Sequence, residues 1–494
     1  MPSRSVIVIG GGLAGLSSAV ALAEAGFRVR LFEKRPHLGG RASSYMLPGG
    51  EHVDNCQHVT LGCCTNLADF YRRVGAAHKI RWYDRLIFSD AAGRRGVIEA
   101  SPLAPPFHLA PSFALFPSLA WADKSAIARA MLAITRSGGR PPDVSGAAGV
   151  TMLDWLRRHG QTQASIERFW RVVLVSALDE ELGRTDAGYG MDVFWKAFLA
   201  NRNGFRIGIP SVPLGELYSG CRQAIEQRGG EVVVRAGVRA IRLEHGRVVG
   251  VELDNHALET SDYYIAAVPH DQLPGLLPAK VVESEPAFAN LSRLRSAPIT
   301  GVHLWFDRVV MTEPYLTLLD HTTQWIFNKS LLYGSSAPPA GPDVAGQAGA
   351  PGAAVENFQY LQLVISASYE LVPRSRQDII ELCRLELQEI LPPAREARLL
   401  KATVIKETAA TFSPEPGCDR WRPCQSGPIE NLFLAGDWTA TGWPATMESA
   451  VRSGYLAAEA ILAVAGKPQK LLQPDLPVES ASRWLARNAR SQHS

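Results

Sequence analysis

The chain has 494 residues, 46% of them hydrophobic, enough for more than one core and a prior of two or three domains. Its 51 Lys and Arg against 48 Asp and Glu leave a net charge of +3 with no long basic run, which argues against nucleic acid as a partner. The seven cysteines form no C-x-x-C pair and no metal spacing, and no apolar run approaches the roughly 18 residues that span a bilayer.

The first predicted element is a buried strand, Val6 to Ile9. Starting so early, it leaves no room for a targeting segment, so the expectation is a cytoplasmic protein with reduced thiols. The strand runs into Gly10, Gly12 and Gly15, which fit G-x-G-x-x-G, with Leu13 and Ala14 opening a helix. A second strand, Arg28 to Glu33, ends on an acidic residue, and Lys34 follows it. The first glycine permits the tight turn, the second a close approach to a pyrophosphate, the third helix-on-strand packing. Glu33 is placed to accept hydrogen bonds from a ribose, and the helix N-terminus faces the phosphates. A glycine turn in some other α/β protein is the alternative.

Pro36-His37-Leu38-Gly39-Gly40-Arg41 comes next. It resembles the Gly-Gly-Arg continuation of FAD-dependent amine oxidases and carotenoid desaturases, which implies FAD. Gly40 permits a second close approach, and Arg41 adds charge beside the diphosphate. Val53-Asp54-Asn55-Cys56-Gln57-His58-Val59 sets four polar side chains between apolar flanks. Such a cluster suits a site where a hydroxyl is held or protonated; a polar turn satisfying its own backbone is the alternative. Residues 101–121 are apolar but broken by prolines, so they form neither a long helix nor a central strand. They read as a loop that dips into a membrane interface or packs on its own domain.

A helix over 215–227, a strand over 231–234, a hairpin over 240–253 turning at Gly246 and a strand over 263–268 follow. In the resembling families a valine at the place of Val238 touches the adenine. His303 and Trp305 alternate to one side of a strand, where a core histidine is as good a reading as a catalytic one. Residues 335–354 are nearly all Ala, Gly, Pro and Ser, a flexible surface insertion. The buried strand Leu432 to Ala435 leads to Gly436-Asp437, and a helix is expected from Thr446 and Met447 to Ile461. Asp437 is placed to hold a ribityl hydroxyl or order water at the diphosphate, and the helix N-terminus to face the flavin. A helix-capping aspartate is the alternative. Trp443 could be half of an aromatic amine cage.

The Asp-Asn-Cys-Gln-His segment is similar to a motif of hydroxysqualene dehydroxylases, the squalene-associated FAD enzymes of bacterial hopanoid clusters. So are Val302 to Asp307, Gln324 to Asn328, Ala410 to Phe412, and the run from Gly436 to Ala450. The resemblance covers residues 5 to about 465 in order. Cys56 stands where that family has glycine, which implies a strained or reshaped turn if the position needs positive φ.

The expected fold is α/β, a Rossmann-like FAD-binding domain built from discontinuous segments (1–75, 214–269, 429–465) with an interleaved α+β substrate domain (76–213, 270–428) and a C-terminal tail (466–494). The resemblance implies reductive removal of the hydroxyl of hydroxysqualene to give squalene. His58 is the first choice for assisting departure of water, with Asp54 as alternative or orienting partner and Asn55 and Gln57 beside them. A phytoene-type desaturase, a flavin amine oxidase and a non-enzymatic flavin-bound scaffold are the alternatives. With no second dinucleotide fingerprint, NAD(P)H binding transiently or a separate reductase is the expected electron donor. The protein is expected to lie peripherally on the inner face of the cytoplasmic membrane.

Overall fold

The computed structural model describes residues 4–48, 50–139, 149–334 and 358–491; the insertion expected at 335–354 lies outside the described residues. Five parallel strands form one sheet in the order Glu231–Val234, Arg28–Glu33, Ser5–Ile9, Tyr263–Ala266, Leu432–Leu434. The order interleaves strands from widely separated parts of the sequence, and the first strand sits at the centre. Alternation along that strand divides two cores: Val6 and Val8 face one cluster, Ile7 and Ile9 the other. The first cluster is covered by the helices Leu13–Glu24 and Met447–Val464. They cross closely because Gly454 carries no side chain; a Cβ there would lie 2.4 Å from the Ala14 carbonyl oxygen. The hairpin Val238–Glu244 and Arg247–Leu253 supplies Ile241, Val248 and Val251 to the second cluster.

A seven-stranded sheet runs Leu399–Phe412, Ser296–Phe306, Gln359–Ile365, Trp325–Asn328, Tyr315–Leu318, Arg85–Ser89, Arg95–Glu99. Every pairing is antiparallel except Tyr315–Leu318 with Arg85–Ser89. One face packs on the Arg376–Ile390 helix through Val302, Leu304, Leu361 and Ile379. Phe327 and Val364 turn the other way, into the core that holds the helices between Trp121 and Leu199.

Several expected elements are shifted. The helix expected over 215–227 is two, Leu214–Leu217 and Ser219–Glu226. The strand expected to reach Val268 ends at Ala266, and the last long helix starts at Met447 with Thr446 as its N-cap. The tail is not featureless: a helix, Ser480–Ser491, packs on Trp121–Ser137. Residues 101–121 hold only the short helix Ala110–Ala114 before Trp121. Their start is fastened by the Arg202 guanidinium, which donates to the carbonyls of Ser101, Pro102 and Leu103. Phe116 and Leu119 are buried, while Leu103, Phe107, Leu115 and Trp121 are exposed.

Candidate functional site

The glycine turn delivers what its spacing demands. Gly10 has φ 107°, and a Cβ there would lie 2.6 Å from the Ala267 carbonyl oxygen, while one on Gly15 would lie 2.0 Å from that of Gly10. At Gly12 a Cβ would meet only the Gly40 Cα, 3.8 Å away, so the backbone there faces open space. The Glu33 carboxylate accepts from the Gly11 N–H (2.6 Å) and the Arg35 N–H (2.7 Å). A carboxylate offers about four acceptor positions, so two remain for ribose hydroxyls.

The turn borders a cavity of about 520 Å³. One part of its lining is Gly10, Gly12, Leu13, Ala14, Glu33, Lys34, Gly40, Arg41, Val238, Gly436, Asp437, Thr446 and Met447, thirteen of the fourteen residues expected to hold the cofactor. The fourteenth, Gly15, sits against Gly10 and serves packing. Both long helices present N-termini here, and the first turn of each leaves N–H groups without intrahelical acceptors. The Thr446 hydroxyl caps the second helix by accepting from the Ser449 N–H at 3.1 Å, so Asp437 is not the cap.

Asp437 instead forms an ion pair with Arg41, whose guanidinium also donates to the Ala410 carbonyl at 3.0 Å. The charge that Arg41 adds on the diphosphate side is compensated by Asp437, and Arg41 fixes the position of that carboxylate. The loop after Asp437 is organised by Arg422, which donates to the carbonyls of Asp437 (3.0 Å), Thr439 (2.6 Å) and Trp443 (2.9 Å). No local sequence pattern pointed to Arg422. Its partners lie 15–21 residues further along the chain.

The rest of the lining is largely apolar: Leu86, Phe88, Val172, Val193, Phe198, Phe205, Ile207, Ile299, Trp325, Phe327 and Val364. Asn55, Cys56, Gln57 and His58 reach this cavity, but Asp54 does not line it. The Asp54 carboxylate is buried in an ion pair with Lys329 (2.8 Å), accepts from the Leu214 N–H (3.0 Å) and bonds the Ser44 and Tyr333 hydroxyls. Burial favours its neutral form, but the Lys329 ammonium and these hydrogen bonds outweigh it and hold the group below the usual carboxylate range. Asp54 is therefore an anchor for the loop rather than a proton donor.

Gln57 accepts from Lys329 at 2.6 Å and donates to the His58 carbonyl, while Asn55 donates to the Arg41 carbonyl at 2.7 Å. Of the four polar residues, only His58 keeps an uncommitted ring nitrogen. Its Nδ1 donates to the Cys56 carbonyl at 3.0 Å, which leaves Nε2 as an acceptor in the neutral ring. Burial lowers the His58 pKa, so the imidazole is neutral near pH 7 and is a weaker acid candidate than its residue type suggests. Cys56 causes no left-handed strain, being absent from the residues with positive φ. Gly301 makes room for the loop: a Cβ there would lie 2.8 Å from the Asn55 carbonyl oxygen.

His303 is a core residue, fully buried, with Nδ1 2.7 Å from the Tyr360 hydroxyl and its pKa lowered to about 3 by burial. Trp443 does not form an open amine cage. The Lys196 ammonium lies 4.6 Å and the Arg452 guanidinium 5.5 Å from its ring centroid, so cations of the protein already occupy its surroundings.

A Rossmann-like parallel sheet, the paired glycine turns and a cavity flanked by two helix N-termini define a dinucleotide-binding flavoprotein with a largely apolar chamber beside the glycine turn. The profile of the family described as flavin containing amine oxidoreductase matches residues 13–462, and the chain belongs to that family, with FAD as its cofactor. It is 27% identical over 474 residues to a 15-cis-phytoene desaturase of Glycine max, covering 93% of this chain and 79% of that protein. It is 26% identical to the 15-cis-phytoene desaturase of Synechococcus elongatus, covering 97% and 99%. A probable zeta-carotene desaturase of the same organism is 27% identical, covering 92% and 98%. Among solved structures, an oxidoreductase from Methanosarcina mazei superposes with a TM-score of 0.70 at 17% identity, covering 93% of this chain and 100% of that one. Putrescine oxidase gives 0.65 at 13% identity, covering 93% and 99%. These structures establish the flavin amine oxidase type of fold.

Proposed function

We propose that this oxidoreductase removes the hydroxyl of hydroxysqualene to give squalene, a step of bacterial hopanoid synthesis. The observation that carries the reading is His58, whose free Nε2 is a hydrogen-bond acceptor on the wall of a largely apolar chamber. A polyprenyl chain suits the apolar lining, and an allylic hydroxyl on it gives the acceptor a partner. The motif resemblance over residues 5–465 supports the same reading.

In this reading the three segments 1–75, 214–269 and 429–465 form the FAD-binding domain and 76–213 with 270–428 the substrate domain. Gly12, Glu33, Gly40, Val238, Asp437 and the N-terminus of the Met447–Val464 helix hold FAD, which in its reduced form supplies a hydride. The apolar side chains place the polyprenyl carbon and exclude water, and His58 accepts the hydrogen of the hydroxyl and fixes its direction. NAD(P)H or a separate reductase restores the reduced flavin. The exposed Leu103, Phe107, Leu115 and Trp121 let the protein sit on the inner face of the cytoplasmic membrane, from which the substrate enters.

A phytoene-type desaturase is the second reading, favoured by the names of the relatives. The two run in opposite redox directions. Anaerobic mixing of the photoreduced holoenzyme with hydroxysqualene should yield squalene and oxidised flavin in one turnover. Bleaching of the oxidised enzyme by phytoene or squalene, with a more unsaturated product, reverses the assignment. No turnover of either kind leaves the flavin-bound scaffold.

A further inference from the structure

The geometry points to Asp179 as the acid that protonates the departing hydroxyl, an assignment that rests on the dehydroxylation reading above. Asp179 ends the Arg171–Leu178 helix in a left-handed conformation (φ 54°, ψ 34°), one that aspartate adopts more readily than most residues. Two hydrogen bonds hold its carboxyl. One carboxyl oxygen accepts from the Ala367 N–H at 2.7 Å, and the other lies 2.9 Å from the Thr411 hydroxyl. The result is a buried carboxyl that lines the same cavity as His58, Ser176, Trp325 and Thr411.

Several other buried carboxylates have a cation, while Glu33, Asp123 and Glu386 are held by N–H and hydroxyl groups instead. Asp54 has Lys329, Asp437 has Arg41, Glu180 has Arg184 at 3.4 Å and Glu448 has Arg452 at 3.6 Å. Among the described residues, no cation pairs with Asp179. The groups that face it are the Glu180 carboxyl on its own turn, the Tyr369 phenol and the Cys56 thiol, none of them positive. Burial without a compensating charge favours the protonated form and pushes this carboxyl well above its usual range. Both neighbours are compatible with that state: the Ala367 N–H needs one oxygen as acceptor, and the Thr411 hydroxyl accepts as readily as it donates.

Asp179 therefore meets substrate carrying a proton in a largely apolar chamber. The proton passes to the hydroxyl oxygen, and the C–O bond breaks with its electron pair leaving as water. The hydride that reduced flavin provides completes the new C–H bond. The carboxylate then regains a proton from solvent. The sum is alcohol, proton and hydride giving hydrocarbon and water. His58, an acceptor toward the hydroxyl hydrogen, and Asp179, a donor toward the hydroxyl oxygen, have complementary parts.

The test uses holoenzyme and two substrates, hydroxysqualene and the corresponding allylic chloride, whose leaving group needs no proton. Infrared difference spectra at pH 7 should show a protonated-carboxyl band that disappears in Asp179→Asn, with FAD occupancy retained. With the alcohol, Asp179→Asn should slow the single turnover of reduced enzyme about 100-fold or more. With the chloride its rate should stay near that of the wild type, and Asp179→Glu should recover part of the loss on the alcohol. A missing band in the wild type, a wild-type rate for Asp179→Asn on the alcohol, or equal slowing on both substrates overturns the assignment. Wild-type enzyme that makes no squalene overturns the dehydroxylation reading, and the acid role falls with it.

Discussion

Arg41 and Asp437, 396 residues apart in sequence, form an ion pair on the cofactor side of the cavity. The pair ties the second glycine turn to the loop before the last long helix, so two segments with separate sequence signals become one binding surface. Replacing Asp437 with Ala leaves Arg41 unpaired and removes a buried acceptor. Arg41 is partly exposed, so solvent offsets part of the loss, and FAD affinity should fall by about 1–2 kcal/mol. Flavin fluorescence titration of the apoprotein measures this; unchanged affinity would show the pair to be structural only.

Glu33 predicts which flavin is held. Denatured protein should release FAD rather than FMN, because Glu33 and Val238 lie where the adenosine half is read to bind. Glu33→Ala should weaken FAD by roughly 1–3 kcal/mol, since it orphans the Gly11 and Arg35 N–H groups as well as the ribose contacts. Wild-type protein that cannot be reconstituted with FAD would refute the cofactor reading.

Lys329 and Asp54, 0% and 1% exposed, make a pair whose halves cannot be removed singly. Lys329→Met strands a buried carboxylate and should cost about 3–5 kcal/mol, read as a lower denaturant midpoint. The pH dependence follows from the depressed Asp54 pKa. The unfolded carboxylate titrates near pH 4, so the stability from this group is complete above that value and is lost as pH falls through the lower folded value. Asp54→Asn should flatten that acid limb of the stability profile.

His58→Ala should slow the reductive half of the cycle by about 10-fold, the cost of one hydrogen-bond acceptor, with FAD binding intact. Because the folded pKa is lowered, the ring stays neutral through pH 7 and gains a proton only below its ordinary titration range. The wild-type rate should therefore show no His58 inflection near neutrality. A loss of several hundredfold in the variant would return the acid role to this residue.

Membrane contact is tested at Leu115 and Trp121, 84% and 73% exposed. The protein should partition onto liposomes at high salt as well as low, because apolar insertion is salt-insensitive. Leu115→Glu with Trp121→Glu should abolish partitioning without changing thermal stability. Binding that vanishes with salt would point to surface charge instead.

The strand–glycine–helix start, the acidic end of the second strand and the Gly436-Asp437 segment were legible because their physics is local. Backbone that approaches a phosphate needs glycine, and a helix N-terminus needs no distant partner to carry its partial charge. The polar cluster over 54–58 was legible as a cluster but not in its division of labour. Asp54, Asn55, Gln57 and His58 look alike as hydrogen-bonding residues, and nothing nearby says that Lys329 claims the first and third. Asp179 was passed over for the same reason: in sequence it is the first of three consecutive acidic residues, Asp179, Glu180 and Glu181.

By itself the sequence determined the dinucleotide turn and the buried first strand, since periodicity and glycine spacing act over a few residues, and the resemblance of Gly39-Gly40-Arg41 implied the cofactor class. The tertiary structure decided which charges are compensated. Lys329 neutralises Asp54, Arg41 neutralises Asp437, and among the described residues no cation pairs with Asp179. The protonation state of a carboxyl depends on its burial and on charges within a few ångströms. Those neighbours come from strands and loops more than a hundred residues away, and only the folded chain brings them together.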